Sequence, residues 1–78
     1  MKKLEVLGSG CPKCFELARR CEAAAAELGI EVKVEKVTSI ERMMELGLMV
    51  TPGLAIDGVL KTTGHVPTVA VLKDLLKE

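Results

Sequence analysis

Two cysteines three residues apart, in Cys11-Pro12-Lys13-Cys14, are the part of this chain best suited to chemistry. A thiol pair at that spacing can cycle between dithiol and disulfide, and two thiolates can equally bind a soft metal ion. Cys11 is placed as the more reactive sulfur, at the start of a helical pattern. There, free backbone N–H groups and the helix dipole favour a thiolate, and the Lys13 ammonium adds to the same field. Cys14 falls one turn further in, on the side of the helix that the apolar pattern buries, within disulfide reach of Cys11 but shielded from outside attackers. Cys11 therefore reads as the nucleophile and Cys14 as the resolving thiol. A second constrained stretch, Thr51-Pro52, is the candidate cover for the pair.

Periodicity supplies the elements that must hold these residues. Leu4, Val6 and Leu7 form a short strand ending near Gly8, and Pro12 opens the first helix, where its missing N–H is not needed. Cys14, Ala18, Cys21, Ala25 and Leu28 recur at spacings of three and four and predict one buried stripe, with Gly29 as the stop. Ile30, Val32 and Val34 alternate with Glu31, Lys33 and Glu35, the pattern of a half-covered edge strand whose charges discourage further pairing. Thr38 followed by Glu41 has the form of a capping box, opening a short helix through Met43, Met44 and Leu46 to Gly47. Leu54 to Ile56 and Val59 to Thr62 flank Asp57-Gly58, a two-residue hairpin turn. Pro67 is expected to begin a last helix with Val69, Leu72, Leu75 and Leu76 inward. The order β-α-β-α-β-β-α predicts an α/β fold with a four-stranded mixed sheet and helices on both faces.

Length and charge exclude several classes. The chain has 78 residues, 49% of them apolar, enough for a single domain over 1–78 with one core. Eleven basic and eleven acidic side chains leave no net charge, so no nucleic-acid partner and no anionic membrane is expected. No apolar run is long enough to span a bilayer, and Glu5 with Gly8-Ser9-Gly10 interrupts the only stretch resembling a signal peptide. A cytoplasmic monomer is expected. In that compartment a close thiol pair is catalytic or metal-binding rather than structural, and three cysteines do not make a disulfide framework. Cys21 is seven residues beyond Cys14, about 10.5 Å along a helix axis and past the roughly 7 Å Cα reach of a disulfide. It reads as core. Met43, Met44 and Met49 read as gap-filling core side chains rather than metal ligands. His65 falls in a loop near the expected groove.

Taken together, the element order, Cys11-Pro12-Lys13-Cys14 at the first strand-to-helix junction, Val50-Thr51-Pro52 before the third strand and Gly64 after the fourth resemble the thioredoxin superfamily. The compact length and the run Thr51 to Gly58 followed by Gly64 are similar to its small, glutaredoxin-sized redox proteins of archaea and bacteria. The resemblance covers essentially the whole chain. It implies a thioredoxin-like fold and a thiol–disulfide oxidoreductase with Cys11 and Cys14 catalytic. Pro12, Lys13, Thr51, Pro52 and Gly64 would line the substrate groove, without metal or other cofactor. It also implies a cis Thr51-Pro52 bond, protein disulfides as substrates, and a thiol or flavoprotein as reductant.

The chain departs from the family pattern at several positions. It has no Trp before Cys11 and no Gly-Pro between the cysteines; Cys-Pro-x-Cys is nearer to glutaredoxin. The glutathione site of glutaredoxins is not visible, since His65 rather than a second glycine and an acid follows Gly64. Larger thioredoxins bury an acid beneath the resolving thiol, and only Glu5 stands where one would be; no role is assigned to it. Two other readings of the Cys pair are a Cu(I) or Zn carrier and a redox-sensing binding module without catalysis. The carriers that place Cys-x-x-Cys at this junction usually have a Met where Ser9 stands and a β-α-β-β-α-β order.

Overall fold

The computed structural model describes residues 2–8 and 12–77. Its elements are β1 (Lys2–Leu7), α1 (Pro12–Leu28), β2 (Val32–Val37), α2 (Ile40–Leu46), β3 (Gly53–Ile56), β4 (Val59–Thr63) and α3 (Val69–Leu76). The sheet order is β2-β1-β3-β4. β1 pairs in parallel with β2 and antiparallel with β3, and β3 pairs antiparallel with β4. This is the four-stranded mixed sheet of a thioredoxin-like α/β fold, with β2 at one edge as its alternating charges predict.

The pleat divides the core. Leu4 and Val6 of β1 point to the face covered by α1 and α3, where Cys14, Leu17, Cys21, Leu54, Ile56, Leu72 and Leu76 are buried with them. Leu7, one residue out of phase, points to the other face and packs with Met43, Leu48 and Ala55. Each fully buried leucine, such as Leu4, Leu17, Leu54 or Leu72, contributes about 2 kcal/mol of transfer free energy. The α1 stripe contains Leu17 and Ala24 as well as the cysteines and alanines read from spacing, because the helix meets both the sheet and α3. Arg20 ties the two helices further. Its guanidinium donates to the Pro67 carbonyl at 3.1 Å and, on the same helix, to Glu16 at 3.0 Å.

Helix starts differ from the sequence reading by a residue or two. Ser39, not Thr38, caps α2; its hydroxyl accepts from the Arg42 N–H at 3.3 Å. That register turns Met43 inward and Arg42 toward Glu5. Pro67 lies before α3 rather than in it, because the Thr68 hydroxyl accepts from the Val71 N–H and so takes the cap. β2 starts at Val32, leaving Ile30 in the preceding turn. Asp57 and Gly58 have φ of 50° and 84°, the two positive values a tight hairpin turn needs. Between Leu54 and Ala55 the β3–β4 register slips, so β4 carries a bulge that restores Leu60 to the Ala55 face.

Candidate active site

Cys11, Ser9 and Gly10 lie outside the described residues, so the site is built from Pro12 onward. Pro12 starts α1 as its fixed φ suits, and Pro12 and Lys13 are both exposed on the first turn. No acidic side chain occupies that turn, so nothing there opposes the positive end of the helix. Cys14 is 5% exposed, held by the buried stripe that continues through Leu17, Ala18 and Cys21.

The Cys14 sulfur rests against Gly8, the residue that follows β1. A Cβ on Gly8 would stand 2.2 Å from Cys14 Sγ and 3.8 Å from Thr51 Cβ. Gly8 was not singled out in the sequence; the only signal was a glycine at the strand end, indistinguishable from Gly10. Thr51 is exposed, Pro52 is buried, and the bond between them is cis. Among the described residues neither the N–H nor the C=O of Thr51 makes a hydrogen bond. Gly64 reaches the same loop from the end of β4, its N–H donating to the Pro52 carbonyl at 2.8 Å. Its φ of 76° suits only glycine readily, and Val50 stands close beside it. Cys14, Thr51, Pro52 and Gly64 are thus gathered around Gly8 and one loop, with Pro12 and Lys13 on the adjoining helix turn.

Other candidates fall elsewhere. His65 is exposed, and its Nδ1 lies 3.0 Å from the Thr63 carbonyl, so the ring bonds back to its own strand. Cys21 has no exposed surface, and burial pushes its thiol up to about 12. It is core, as its spacing predicts. Native protein treated with iodoacetamide near pH 8 should leave Cys21 unmodified, with labelling only after denaturation; peptide mapping by mass spectrometry that finds it alkylated in the native state would contradict this. Met43 is core, but Met44 and Met49 are 72% and 91% exposed and fill no gap. α2 is too short to bury more than the side chains of one face, and Met49 follows it in the loop that leads to Thr51. Phe15, next to Cys14, is half exposed, and the Lys36 ammonium sits 4.4 Å from its ring centroid, a contact worth about 0.5–1 kcal/mol.

Glu5 does not lie beneath Cys14. It shares the α2 face with Leu7, opposite the face of Leu4 and Val6 on which Cys14 packs. Its carboxylate, 3% exposed, accepts from Arg42 Nε at 2.9 Å and from Nη2 at 2.8 Å. Those hydrogen bonds hold Glu5 below the usual carboxylate range against the opposing effect of burial. A groove of about 520 Å³ lies between α1 and β2, lined by Ala18, Ala25, Ile30, Val32 and Val34; it contains no thiol. Among the described residues no three His, Cys, Asp or Glu side chains converge as a metal site, and no helix is long and apolar enough to cross a membrane.

The fold is a small β-α-β-α-β-β-α domain, an order distinct from that of the soft-metal carriers. The sequence matches the family model described as "Thioredoxin domain" over residues 2–77. It is 38% identical over 76 residues to a protein named Thioredoxin from Methanothermobacter thermautotrophicus, covering 97% of this chain and 99% of the relative. A second Thioredoxin, from Methanocaldococcus jannaschii, is also 38% identical, over 99% of this chain and 88% of its own length. The chain belongs to the thioredoxin family and is a thiol–disulfide oxidoreductase.

Proposed function

We propose that the protein reduces protein disulfides through Cys11 and Cys14 in two steps. The observation that carries this reading is the placement of the Cys14 sulfur, buried one turn into α1 and against the strand end that Thr51 also meets. The Cys11 thiolate attacks one sulfur of the substrate disulfide; a Cys11–substrate bond forms, and the other substrate sulfur leaves as a thiolate and takes up a proton. Cys14, after losing its proton, attacks Cys11. The Cys11–Cys14 disulfide forms and the second substrate thiolate departs, so the substrate gains two electrons and the protein loses them.

The unpartnered N–H and C=O of Thr51 suit an extended substrate segment added as a short strand beside the cysteines. Pro12, Lys13 and Gly64 complete the groove. The protein acts as a single-domain monomer in the cytoplasm, needs no metal or other cofactor of its own, and is returned to the dithiol by a thiol or flavoprotein reductant.

A redox titration of metal-free protein in defined dithiol buffers, with alkylation and mass spectrometry counting each thiol, tests the reading. A reversible two-electron transition confined to Cys11 and Cys14, with Cys21 unchanged, is expected. Failure of the metal-free protein to form an intramolecular disulfide, or a pair in the protein as purified that resists alkylation until metal is stripped, would sink it in favour of a metal carrier.

A further inference from the structure

We infer that Gly8 is the positioning residue for the resolving step: its missing side chain is the seat of the Cys14 sulfur, and the speed with which a mixed disulfide is released depends on that seat staying empty. The inference rests on the dithiol reading above and adds to it a residue with no reactive group of its own.

The need at Gly8 is for space and not for an unusual backbone. Four glycines of the described chain have positive φ, and Gly8 is not among them, so alanine could adopt its conformation without strain. The obstacle is the contact itself. A Cβ at 2.2 Å from Cys14 Sγ is far inside van der Waals separation, whereas the same atom would be 3.6 Å from Cys14 Cβ, an ordinary contact. The clash is with the sulfur alone.

Neither backbone can give way readily. The Gly8 N–H donates to the Val37 carbonyl at 3.0 Å, and the preceding Leu7 is paired with Val37 on one side and Gly53 on the other. On the facing side, α1 is fixed by Leu17, Cys21 and Ala24, which have no exposed surface. The remaining freedom is rotation about Cys14 χ1, and a helix allows few staggered positions for it. A methyl at position 8 therefore displaces the sulfur. Its Cβ would also meet Thr51 at 3.8 Å, closing the space between thiol and loop. Attack by Cys11 on a substrate does not involve the Cys14 sulfur; the second attack, in which that sulfur bonds to Cys11 and expels the substrate thiolate, depends on where it is held.

A symmetrical aromatic disulfide whose released thiolate is coloured separates the two steps when protein is in excess. The first coloured thiolate reports attack by Cys11, and the second reports resolution by Cys14. Wild-type protein should release both rapidly. Gly8→Ala should release the first within about twofold of the wild-type rate and the second at least roughly tenfold more slowly. An unchanged second release, or equal slowing of both, would overturn the role of Gly8 alone. No rapid first release from the wild type would overturn the dithiol reading, and the role of Gly8 with it.

A thermal double-mutant cycle covers the case in which Gly8→Ala folds poorly. Gly8→Ala should lower Tm at least twice as much in the wild type as in a Cys14→Ala background, where only ordinary contacts with the residue 14 Cβ and the Thr51 Cβ remain. Equal losses in both backgrounds, including loss of the folded state in both, would show that the sulfur is not what Gly8 accommodates.

Discussion

Cys14→Ala is expected to hold on to the substrate it attacks. With Cys11 intact, the first exchange proceeds and a mixed disulfide forms, but no internal thiol is left to break it. Multiple-turnover reduction of insulin with a small dithiol as electron source should fall by roughly a hundredfold or more, while a covalent Cys11–insulin adduct accumulates on non-reducing gels. Cys11→Ala should lose both turnover and adduct. The fold survives the Cys14 change because only one sulfur is removed from a position that is 5% exposed, at a cost of about 1 kcal/mol. Wild-type turnover by Cys14→Ala would refute its assignment as the resolving thiol.

The second large effect is on stability and comes from the other face of the sheet. Arg42→Ala strands the Glu5 carboxylate, 3% exposed and now without its two guanidinium hydrogen bonds. Breaking a fully buried ion pair costs about 3–5 kcal/mol. The Arg42 side chain keeps 35% of its surface in water, so a loss of about 2 kcal/mol is expected, or roughly 10 °C in Tm for a chain this size. Glu5→Gln should cost less, since the Arg42 head can turn to water and the amide keeps the shape.

The pH dependence distinguishes this from simple loss of packing. In the wild type Glu5 is held below its ordinary value by Arg42. Its contribution is therefore fully present above the unfolded pKa, about 4.3, and is lost as pH falls through the lower folded value. In Arg42→Ala burial, which favours the neutral acid, is opposed only by the weaker attraction of the Lys3 charge. That variant is penalised most at neutral pH and relieved as Glu5 takes a proton. The Tm gap between the two proteins should be widest near pH 7 and shrink below about pH 4. A gap that stays constant from pH 7.5 to 3.5 would remove Glu5 as its cause.

Much of this arrangement was legible in the residues because the signals were local. The thiol spacing, Pro12 at a helix start, Asp57-Gly58 between two apolar runs and the charged edge strand each depend on a few neighbours and on elementary backbone chemistry. The structure departs from those signals where two of them compete or where the answer is tertiary. Thr38 and Ser39 can each cap a helix, and which one does so is decided by the turn that brings Arg42 to Glu5 and Met43 to Leu7. Met44 and Met49 share the apolar character of Met43, but nothing in their spacing says that α2 buries a single face. Gly8 and the Glu5–Arg42 pair were illegible for a stronger reason. Both are tertiary contacts, Gly8 of the β1 end with Cys14 of α1 and Glu5 of β1 with Arg42 of α2, and no periodicity encodes them.

The strand pairing has a consequence for how the protein comes into being. β1 ends at Leu7, yet its partner β3 arrives only after α1, β2 and α2 have been made, with Leu4 aligned to Ile56 and Val6 to Leu54. Gly64, which bonds the Pro52 carbonyl, follows still later. Closing so long a loop is an entropic barrier that local helix formation does not lower. On a growing chain, α1 can coil and bring Cys11 and Cys14 within one turn while Thr51-Pro52 has not yet been synthesised. If the pair acts as proposed, it is during that interval an ordinary dithiol open to stray oxidation, and its selectivity for a substrate strand arrives only when β3 docks.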